Sequence, residues 1–372
     1  QHDMKRLLAY HSVENIGIIC LGIGVGVFGI GSAGPVAQLA MAGALLHVLN
    51  HAVFKTGLFL GAGAVIQAVG TRDLDILGGL QKRMPVTGLS FLVASAAICG
   101  LPPLNGFVSE FLIYLASYWS VLPQGFPSVN LRVGGFVVIS SLALIGGLAA
   151  MCFTKVYGTV FLGEPRSARV AGAADPEPCM AVPLRIVAAL CVAFGLGGSV
   201  LMLLVSPAAA RIHPLALAAS DTTPLRDAAL FYLNVTFAAC ALAAVAYGLV
   251  RLRGRLLSGR AVRTGPTWGC GYPYGTPRMQ YTASSFAQPL VVAFRSFLRT
   301  ELGGDWPSGY LPGPSDFRTH TPGLFMHRVY MPVFAAFSWA AGWMRRIQHG
   351  GTHAYVFYIL LALAAVLFWS LL

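Results

Sequence analysis

The chain has 372 residues, of which 56% are hydrophobic and only 10% are charged. A soluble chain has roughly a quarter charged residues, so the composition argues against a soluble globular protein and indicates an integral membrane protein. The formal net charge of +12 does not indicate nucleic-acid binding, because the basic residues lie mostly in short segments that flank apolar runs, as topology signals do.

The apolar runs of about 20 residues or more, the length needed to cross a bilayer, predict the membrane spans in chain order. They cover residues 10–30, 38–68, 133–162, 184–206, 228–250 and 353–372. A further run, 86–122, is interrupted by GLPPLNG at residues 100–106. Two consecutive prolines remove two backbone donors and clash with the preceding turn. The sequence therefore predicts a helix break at Pro102, Pro103 and Gly106.

The charges of the loops indicate whether run 86–122 crosses the membrane once or twice. With one crossing, 13 lysines and arginines fall on one side of the membrane and three on the other; with two crossings, each side has eight. The positive-inside rule favours the single, broken crossing. The thirteen are Lys5, Arg6, Arg72, Lys82, Arg83, Arg166, Arg169, Arg185, Arg251, Arg253, Arg255, Arg260 and Arg263, and the three are Arg132, Arg211 and Arg226. This predicts seven spans, with the N-terminus and residues 251–352 in the cytoplasm and the C-terminus outside.

The second span contains three titratable residues, His47, His51 and Lys55, at i, i+4 and i+8. On an α-helix each is rotated only about 40° from the last, so they form one stripe roughly 12 Å long. Ionisable groups inside a membrane are costly and line ion paths by default. Histidine suits a proton relay because its ordinary pKa lies near 6.5. The alternative is three unrelated polar residues, each satisfied by its neighbours.

Glu110 follows the proline pair by seven residues and lies in an otherwise uncharged run. Broken helices in transporters place ionisable groups at mid-membrane, which makes Glu110 a second relay candidate. A structural pairing with a nearby lysine is the alternative.

Two weaker candidates are Glu14, just inside the first span, and Lys155, which is near enough to the end of its run to extend to the membrane surface.

The remaining residues point to no cofactor or metal site. The seven cysteines contain no C-x-x-C pair and there is no His-rich tract, so neither a disulfide framework, a metal site nor an iron–sulfur site is indicated.

Residues 251–352 are rich in Gly and Pro and have no run long enough to span. Within them, residues 328–348 suit either an interfacial helix or a buried packing helix.

Several motifs resemble the antiporter-like subunit family, which includes the proton-channel subunits of respiratory complex I and the Mrp cation/proton antiporters. They are DMKRLLAYHSVENIG (3–17), HVLNHAVFKTGLFLGAG (47–63), LGGLQKRMP (77–85) and GLPPLNGFVSEFLIY (100–114). The tail WGCGYPYGTPRMQYTASSFAQPL (268–290), with YHSVENIG, is similar to a narrower branch. That branch is the hydrogenase-4 component B and formate hydrogenlyase subunit 3 group of membrane-bound [NiFe]-hydrogenase complexes.

The resemblance implies an all-α polytopic membrane fold of about seven helices, equivalent to the second of two inverted repeats plus C-terminal helices. It assigns Glu110 to the central ionisable position of the broken helix, and His47, His51 and Lys55 to the polar row of the preceding helix. Lys5 matches a lysine that links two half-channels. Residues 1–162 would form the second-repeat part, 163–250 two further spans, 251–352 the cytoplasmic extension and 353–372 the last span. Members of the family also have a first repeat, which this sequence lacks. The resemblance therefore implies that the chain is the C-terminal part of a longer protein.

The predicted function is that of a non-catalytic, proton-translocating subunit in the inner membrane of a prokaryote. It would carry no cofactor, and electron transfer would occur in peripheral [NiFe]-hydrogenase-like or complex I-like partner subunits beside other membrane subunits. Two alternatives remain: an Mrp-type cation/proton antiporter subunit, and a non-pumping assembly scaffold.

Overall fold

The computed structural model describes residues 1–30, 34–122, 129–212, 223–261, 270–272, 274–305, 308–310, 313, 315, 317–345 and 350–371. The chain divides into two compact units, Gln1–Ala287 and Gln288–Leu372.

Helices that follow the apolar runs build the first unit. They are α1 (Met4–Gly29), α2 (Gly34–Val69), α3 (Pro85–Ile98), α4 (Asn105–Val121), α5 (Val129–Val160), α6 (Ala168–Ala171), α7 (Pro178–Leu196), α8 (Gly198–Ile212) and α9 (Thr223–Leu257). Of the helices in the described ranges, α1, α2, α5, α7, α9 and the C-terminal Thr352–Leu371 are long and apolar enough to cross a membrane. The predicted polytopic all-α membrane fold is confirmed.

Helix α2 is the centre of the first unit, because α1, α3, α4, α7, α8 and α9 all pack against it. Small residues on α2 let its neighbours approach closely, as is usual for helices packed in membranes. A Cβ atom on Gly43 would lie 2.8 Å from Ile113 of α4, and one on Gly61 would lie 2.8 Å from the Phe91 ring of α3. Helix α2 is thereby positioned to present side chains to several helices at once.

The predicted helix break lies between α3 and α4. Gly100 follows α3 with a φ of +63°, a conformation that glycine adopts without a steric penalty, and Pro102 and Pro103 follow it. Gly106, in the first turn of α4, packs so closely on α3 that a Cβ atom there would meet the Ala97 carbonyl. The two half-helices therefore stay in contact although the backbone between them is irregular.

Backbone hydrogen bonds indicate how often the broken segment crosses the membrane. Just before α3, the Gly79 N–H donates to the carbonyl of Leu162, just after α5, at 2.9 Å. The start of α3 and the end of α5 therefore lie at the same end of the bundle. This agrees with one crossing by α3 and α4 together and a return by α5, whereas two crossings by residues 86–122 would place Gly79 and Leu162 at opposite ends.

The run 184–206, which the sequence predicts as one span, lies on two consecutive helices, α7 and α8, that meet at Gly197. Two close contacts fix this junction. A Cβ atom on Gly195 would meet the Pro103 carbonyl and lie 2.6 Å from the Leu104 Cα. The Tyr232 hydroxyl of α9 donates to the Gly195 carbonyl at 2.9 Å. The end of α7 is thus held between the helix break and α9.

The second unit begins within α10 (Ala283–Ala293) and continues through α11 (Arg295–Leu298), α12 (Met331–Arg345) and α13 (Thr352–Leu371). Two short antiparallel strands, β1 (Glu301–Gly304) and β2 (Phe317–His320), pair in the Gly- and Pro-rich region, a feature that composition did not predict. A π-helical turn, Met326–Tyr330, leads into α12, which covers most of the helix predicted at 328–348; residues 346–348 lie outside the described residues.

Candidate functional site

The stripe on α2 carries His47, His51 and Lys55 on one side of the helix. The exposed fraction of His47 is 0% and that of Lys55 is 6%, whereas His51 is half-buried. The structure therefore places a lysine and a histidine in the interior of the bundle, although a buried charge is costly unless it is paired. Their surroundings decide what these groups can do.

His47 is hydrogen-bonded through both ring nitrogens. Its Nδ1 atom lies 2.9 Å from the Ser109 hydroxyl of α4, and its Nε2 atom lies 3.1 Å from the Oδ1 atom of Asn15 on α1. Asn15 is itself held by α1, because its amide nitrogen donates to the His11 carbonyl at 2.7 Å. The imidazole thus bridges three helices.

A second set of hydrogen bonds joins α2 to the first turn of α4. The Asn50 amide donates to the Ser109 hydroxyl at 3.1 Å. The Asn105 amide donates to the backbone carbonyl and the Oδ1 atom of Asn50, each at 3.3 Å. With His47 and Asn15, these residues form a buried group that we call the polar cluster, and all five have an exposed fraction of 1% or less: Asn15, His47, Asn50, Asn105 and Ser109.

His51 and Lys55 continue the stripe beyond the polar cluster. The Nε2 atom of His51 is buried and has no hydrogen-bond partner among the described residues. An unpaired buried nitrogen of this kind is a position where water or a moving group can bind. The Lys55 ammonium donates to the Leu8 carbonyl of α1 and lies 5.5 Å from the centroid of the Phe59 ring. It forms no ion pair with any carboxylate in the described part of the chain.

Glu110 lies in the first two turns of α4 with an exposed fraction of 8%. Its carboxylate packs against the helix break, since a Cβ atom built on Gly100 would lie 2.5 Å from Glu110 Oε2. Within the described ranges Glu110, too, forms no ion pair. Among the described residues, the structural pairing of Glu110 with a lysine, which the sequence left open, is not found.

The remaining predicted residues lie at the edges of this arrangement. Glu14 pairs with His11 on the same face of α1. The Lys155 ammonium donates to the backbone carbonyl of Gln1 at 3.3 Å and is buried, with an exposed fraction of 7%. Lys5 lies at the surface of the first turn of α1, so the structure does not bring it to the stripe.

The motif that contains Lys5 has a structural role at the start of α1. The Asp3 carboxylate caps the helix by accepting from the Arg6 N–H at 2.9 Å, as is typical of an aspartate at the N-cap, and pairs with Arg72 at 3.2 Å. The motif therefore fixes α1 against the loop that follows α2.

Sequence reasoning missed His11, Asn15, Asn105 and Ser109. His11 could have been found from the sequence, because it lies three residues before Glu14 and residues at that spacing face each other on a helix. The other three contact α2 residues that are at least 32 positions away, a relation that periodicity along one helix does not report. Their only signal was a polar side chain inside a predicted span. No group of three or more metal-ligating side chains is found among the described residues.

Comparisons of the sequence with known proteins identify a family model and several relatives. The family model described as NADH:quinone oxidoreductase/Mrp antiporter, TM, matches residues 1–126. Hydrogenase-4 component B of Escherichia coli K12 is 35% identical over 99% of this chain and 55% of its own length. Formate hydrogenlyase subunit 3 of the same organism is 38% identical over 80% of this chain and 47% of its own length. The resemblance inferred from the motifs is confirmed.

The same fold occurs in a solved structure, the membrane-bound sulfane sulfur reductase, an archaeal respiratory membrane complex. A chain of that complex matches 99% of this chain and 52% of its own length, with a TM-score of 0.60 and 23% sequence identity. This likeness concerns the fold alone. The chain spans about half the length of the two curated relatives, at 55% and 47%.

Proposed function

Because residues 1–126 match the family model described as NADH:quinone oxidoreductase/Mrp antiporter, TM, we propose that this multi-pass membrane chain forms part of a proton-translocating subunit. Its relatives over most of its length are hydrogenase-4 component B and formate hydrogenlyase subunit 3. The subunit would accordingly sit beside other membrane subunits in a prokaryotic inner membrane. Peripheral [NiFe]-hydrogenase-like or complex I-like partners would carry out the electron transfer.

The observation that carries the proposal is that Lys55 and Glu110 are buried and form no ion pair among the described residues. A lysine and a glutamate inside apolar helices each cost several kcal/mol when charged and unpaired, by general magnitudes. A merely structural role is better served by a salt bridge or by apolar side chains. Lys55 and Glu110 instead lie on adjacent, closely packed helices, which suits groups that gain and lose protons.

The two imidazoles that share the α2 stripe with Lys55 can carry a proton. His47 is hydrogen-bonded on both sides, and the free Nε2 atom of His51 offers an acceptor between His47 and Lys55. Imidazole can bind and release a proton near neutral pH, because its ordinary pKa lies near 6.5. On α1, the hydrogen-bonded pair His11 and Glu14 lies beside this row and provides a candidate entry.

The irregular backbone at Pro102 and Pro103 completes the proposed relay. Broken membrane helices are tolerated where they line a cavity or contact protein, and here the break lies against Glu110 and the end of α7. We propose that a charge change in the partner subunits shifts the protonation of Glu110 or Lys55 and so couples electron transfer to proton uptake. By the loop-charge argument, the N-terminus and residues 251–352 face the cytoplasm and the C-terminus faces outside.

The test is proton uptake driven by electron transfer in membrane vesicles that contain the full-length subunit in its complex. Glu110→Gln and Lys55→Ala should each reduce the number of protons taken up per electron at least tenfold. Lys82→Ala and Glu164→Gln are matched controls, because these residues form an exposed pair at 2.7 Å; each should change uptake less than twofold. Normal uptake at normal turnover in both relay variants would rule the proposal out.

The same vesicles separate the alternatives. Proton uptake that depends on sodium and persists without a redox substrate would favour an Mrp-type antiporter subunit. Intact uptake in the point variants, with loss of the complex when residues 251–352 are deleted, would favour an assembly scaffold.

A further inference from the structure

The polar cluster contains a hydroxyl whose single hydrogen has two competing acceptors. The Ser109 oxygen lies 2.9 Å from His47 Nδ1 and 3.0 Å from the Gly106 carbonyl oxygen. It also accepts the Asn50 amide at 3.1 Å. A hydroxyl donates one hydrogen bond and accepts up to two, so the protonation of His47 decides where that hydrogen goes.

The other side of His47 is fixed. Asn15 must direct its NH₂ group toward the His11 carbonyl, to which it donates at 2.7 Å, so its Oδ1 atom faces His47. Because an amide oxygen only accepts, His47 Nε2 must carry a hydrogen in both charge states. Nδ1 is therefore the atom of this ring that gains or loses a proton.

The two charge states then require two orientations of the hydroxyl. When His47 is neutral, Nδ1 is an acceptor and the Ser109 hydroxyl donates to it. When Nδ1 carries a proton, both His47 and Asn50 donate to the Ser109 oxygen, and the hydroxyl hydrogen turns to the Gly106 carbonyl. In an α-helix that carbonyl is also the acceptor for the N–H of residue i+4, which is Glu110.

We infer that Ser109 is a positioning residue of the relay, whose hydroxyl links the protonation of His47 Nδ1 to the first turn of α4 beside Glu110. The inference rests on the proposed function and adds a residue to it. Gly106 is the residue that packs on the Ala97 carbonyl, so the hydroxyl connects the imidazole with the contact that joins the two half-helices.

The test is the pH dependence of proton uptake in the full-length subunit within its complex. Ser109→Ala removes the oxygen that accepts from the charged ring. Hydrogen bonds to charged groups are about twice as strong as neutral ones, so the charged form loses more than the neutral form. The pH midpoint of uptake should move down by about one unit, a tenfold change in proton binding. Ser109→Thr retains the hydroxyl and should restore the wild-type midpoint.

Two further variants keep the result decisive. Ser109→Cys has nearly the volume of serine and a weak hydrogen-bonding group, so it should shift the midpoint in the same direction even if the alanine variant does not assemble. Ser117→Ala changes another buried serine of α4, whose hydroxyl has no partner among the described residues, and should leave the midpoint unchanged.

The other titratable groups on α2 and on the helices packed against it are retained in all of these variants. They include His51 and Lys55 on α2, His11, Glu14 and Cys20 on α1, Glu110 and Tyr114 on α4, Cys191 on α7 and Tyr232 on α9. A lower rate of uptake with an unchanged midpoint, or equal shifts in the Ser109 and Ser117 variants, would overturn the inference. The proposed function is tested separately, by the amount of uptake in the Lys55 and Glu110 variants.

Discussion

Asp75 is a carboxylate in the loop between α2 and α3 that joins three distant parts of the chain. It accepts from the backbone N–H of Ala283 at 2.7 Å and from the Ser284 hydroxyl at 2.9 Å, and pairs with His2 at 3.1 Å. Burial alone would raise the pKa of this carboxyl. The hydrogen bonds from His2 and Ser284 and the charge of His2 outweigh burial and lower the pKa from 3.8 to about 2.

This lowered pKa predicts how the attachment of the segment at Ala283 depends on pH. A carboxyl whose folded-state pKa is lowered stabilises the folded state fully above its ordinary pKa, and this contribution is lost as pH falls through the folded-state value. Protection of the Ala283 and Ser284 amides from hydrogen exchange should therefore fall between about pH 4 and pH 2. Arg166, which also interacts electrostatically with Asp75, stays charged throughout.

Asp75→Asn should remove most of that pH dependence and accelerate exchange of both amides already at neutral pH. Asp227→Asn, at an exposed position of α9, is the control and should behave like the wild type. Unchanged protection in the Asp75 variant would contradict the role assigned to this carboxylate.

At the residue scale, the sequence predicted the positions on α2 but not what they touch. The spacing of His47, His51 and Lys55 follows from helix geometry alone. The partners Asn15 and Ser109 come from other helices, and no local pattern selects them from the other polar residues in apolar runs. The positioning of Lys5 at the surface likewise depends on how α1 meets the loop after α2, which a motif does not report.

At the scale of elements, the break between α3 and α4 was predictable and the one between α7 and α8 was not. A proline pair cannot continue a helix, so Pro102 and Pro103 determine the first break from sequence alone. Gly197 and Gly198 only weaken a helix, by about 1 kcal/mol each, so their effect depends on packing. Here the close contact of Gly195 with Pro103 decides where α7 ends.

Gly106 provides the prediction at this scale. Gly106→Ala should lower the free energy of unfolding by about 1–3 kcal/mol, the usual cost of overpacking, because the new methyl group meets the Ala97 carbonyl and separates α3 from α4. Gly134→Ala on α5 is the control, since no atom lies within 4 Å of the Cβ position there; it should be neutral or slightly stabilising. The measurement is thermal unfolding of the purified complex in detergent. Equal melting temperatures for both variants would contradict the close packing at Gly106.

At the scale of the whole molecule, several loops of the first unit meet at one end of the bundle. Besides the bond between Gly79 and Leu162, the Met4 N–H donates to the Arg72 carbonyl at 3.0 Å, and the Thr87 N–H donates to Asp175 at 2.9 Å. These loops carry many of the basic residues counted above. The structure therefore brings the basic residues of these loops to one end of the bundle, which the positive-inside rule assigns to the cytoplasm.

Reporter fusions test this orientation in cells. A fluorescent protein that folds only in the cytoplasm should be bright when fused after Leu257, at the end of α9, and dark when fused after Leu371. Alkaline phosphatase, which is active only outside, should give the opposite result. The reversed pattern would contradict the proposed orientation while leaving the polar cluster unaffected.

The contact between Gly195 and Pro103 ties the helix break to two further helices. The backbone of α7 rests directly on the irregular segment, since a Cβ atom on Gly195 would meet the Pro103 carbonyl. The hydrogen bond from Tyr232 to the Gly195 carbonyl holds the same point against α9. A change in the position of Pro103 is therefore expected to displace α7 and, through this bond, α9.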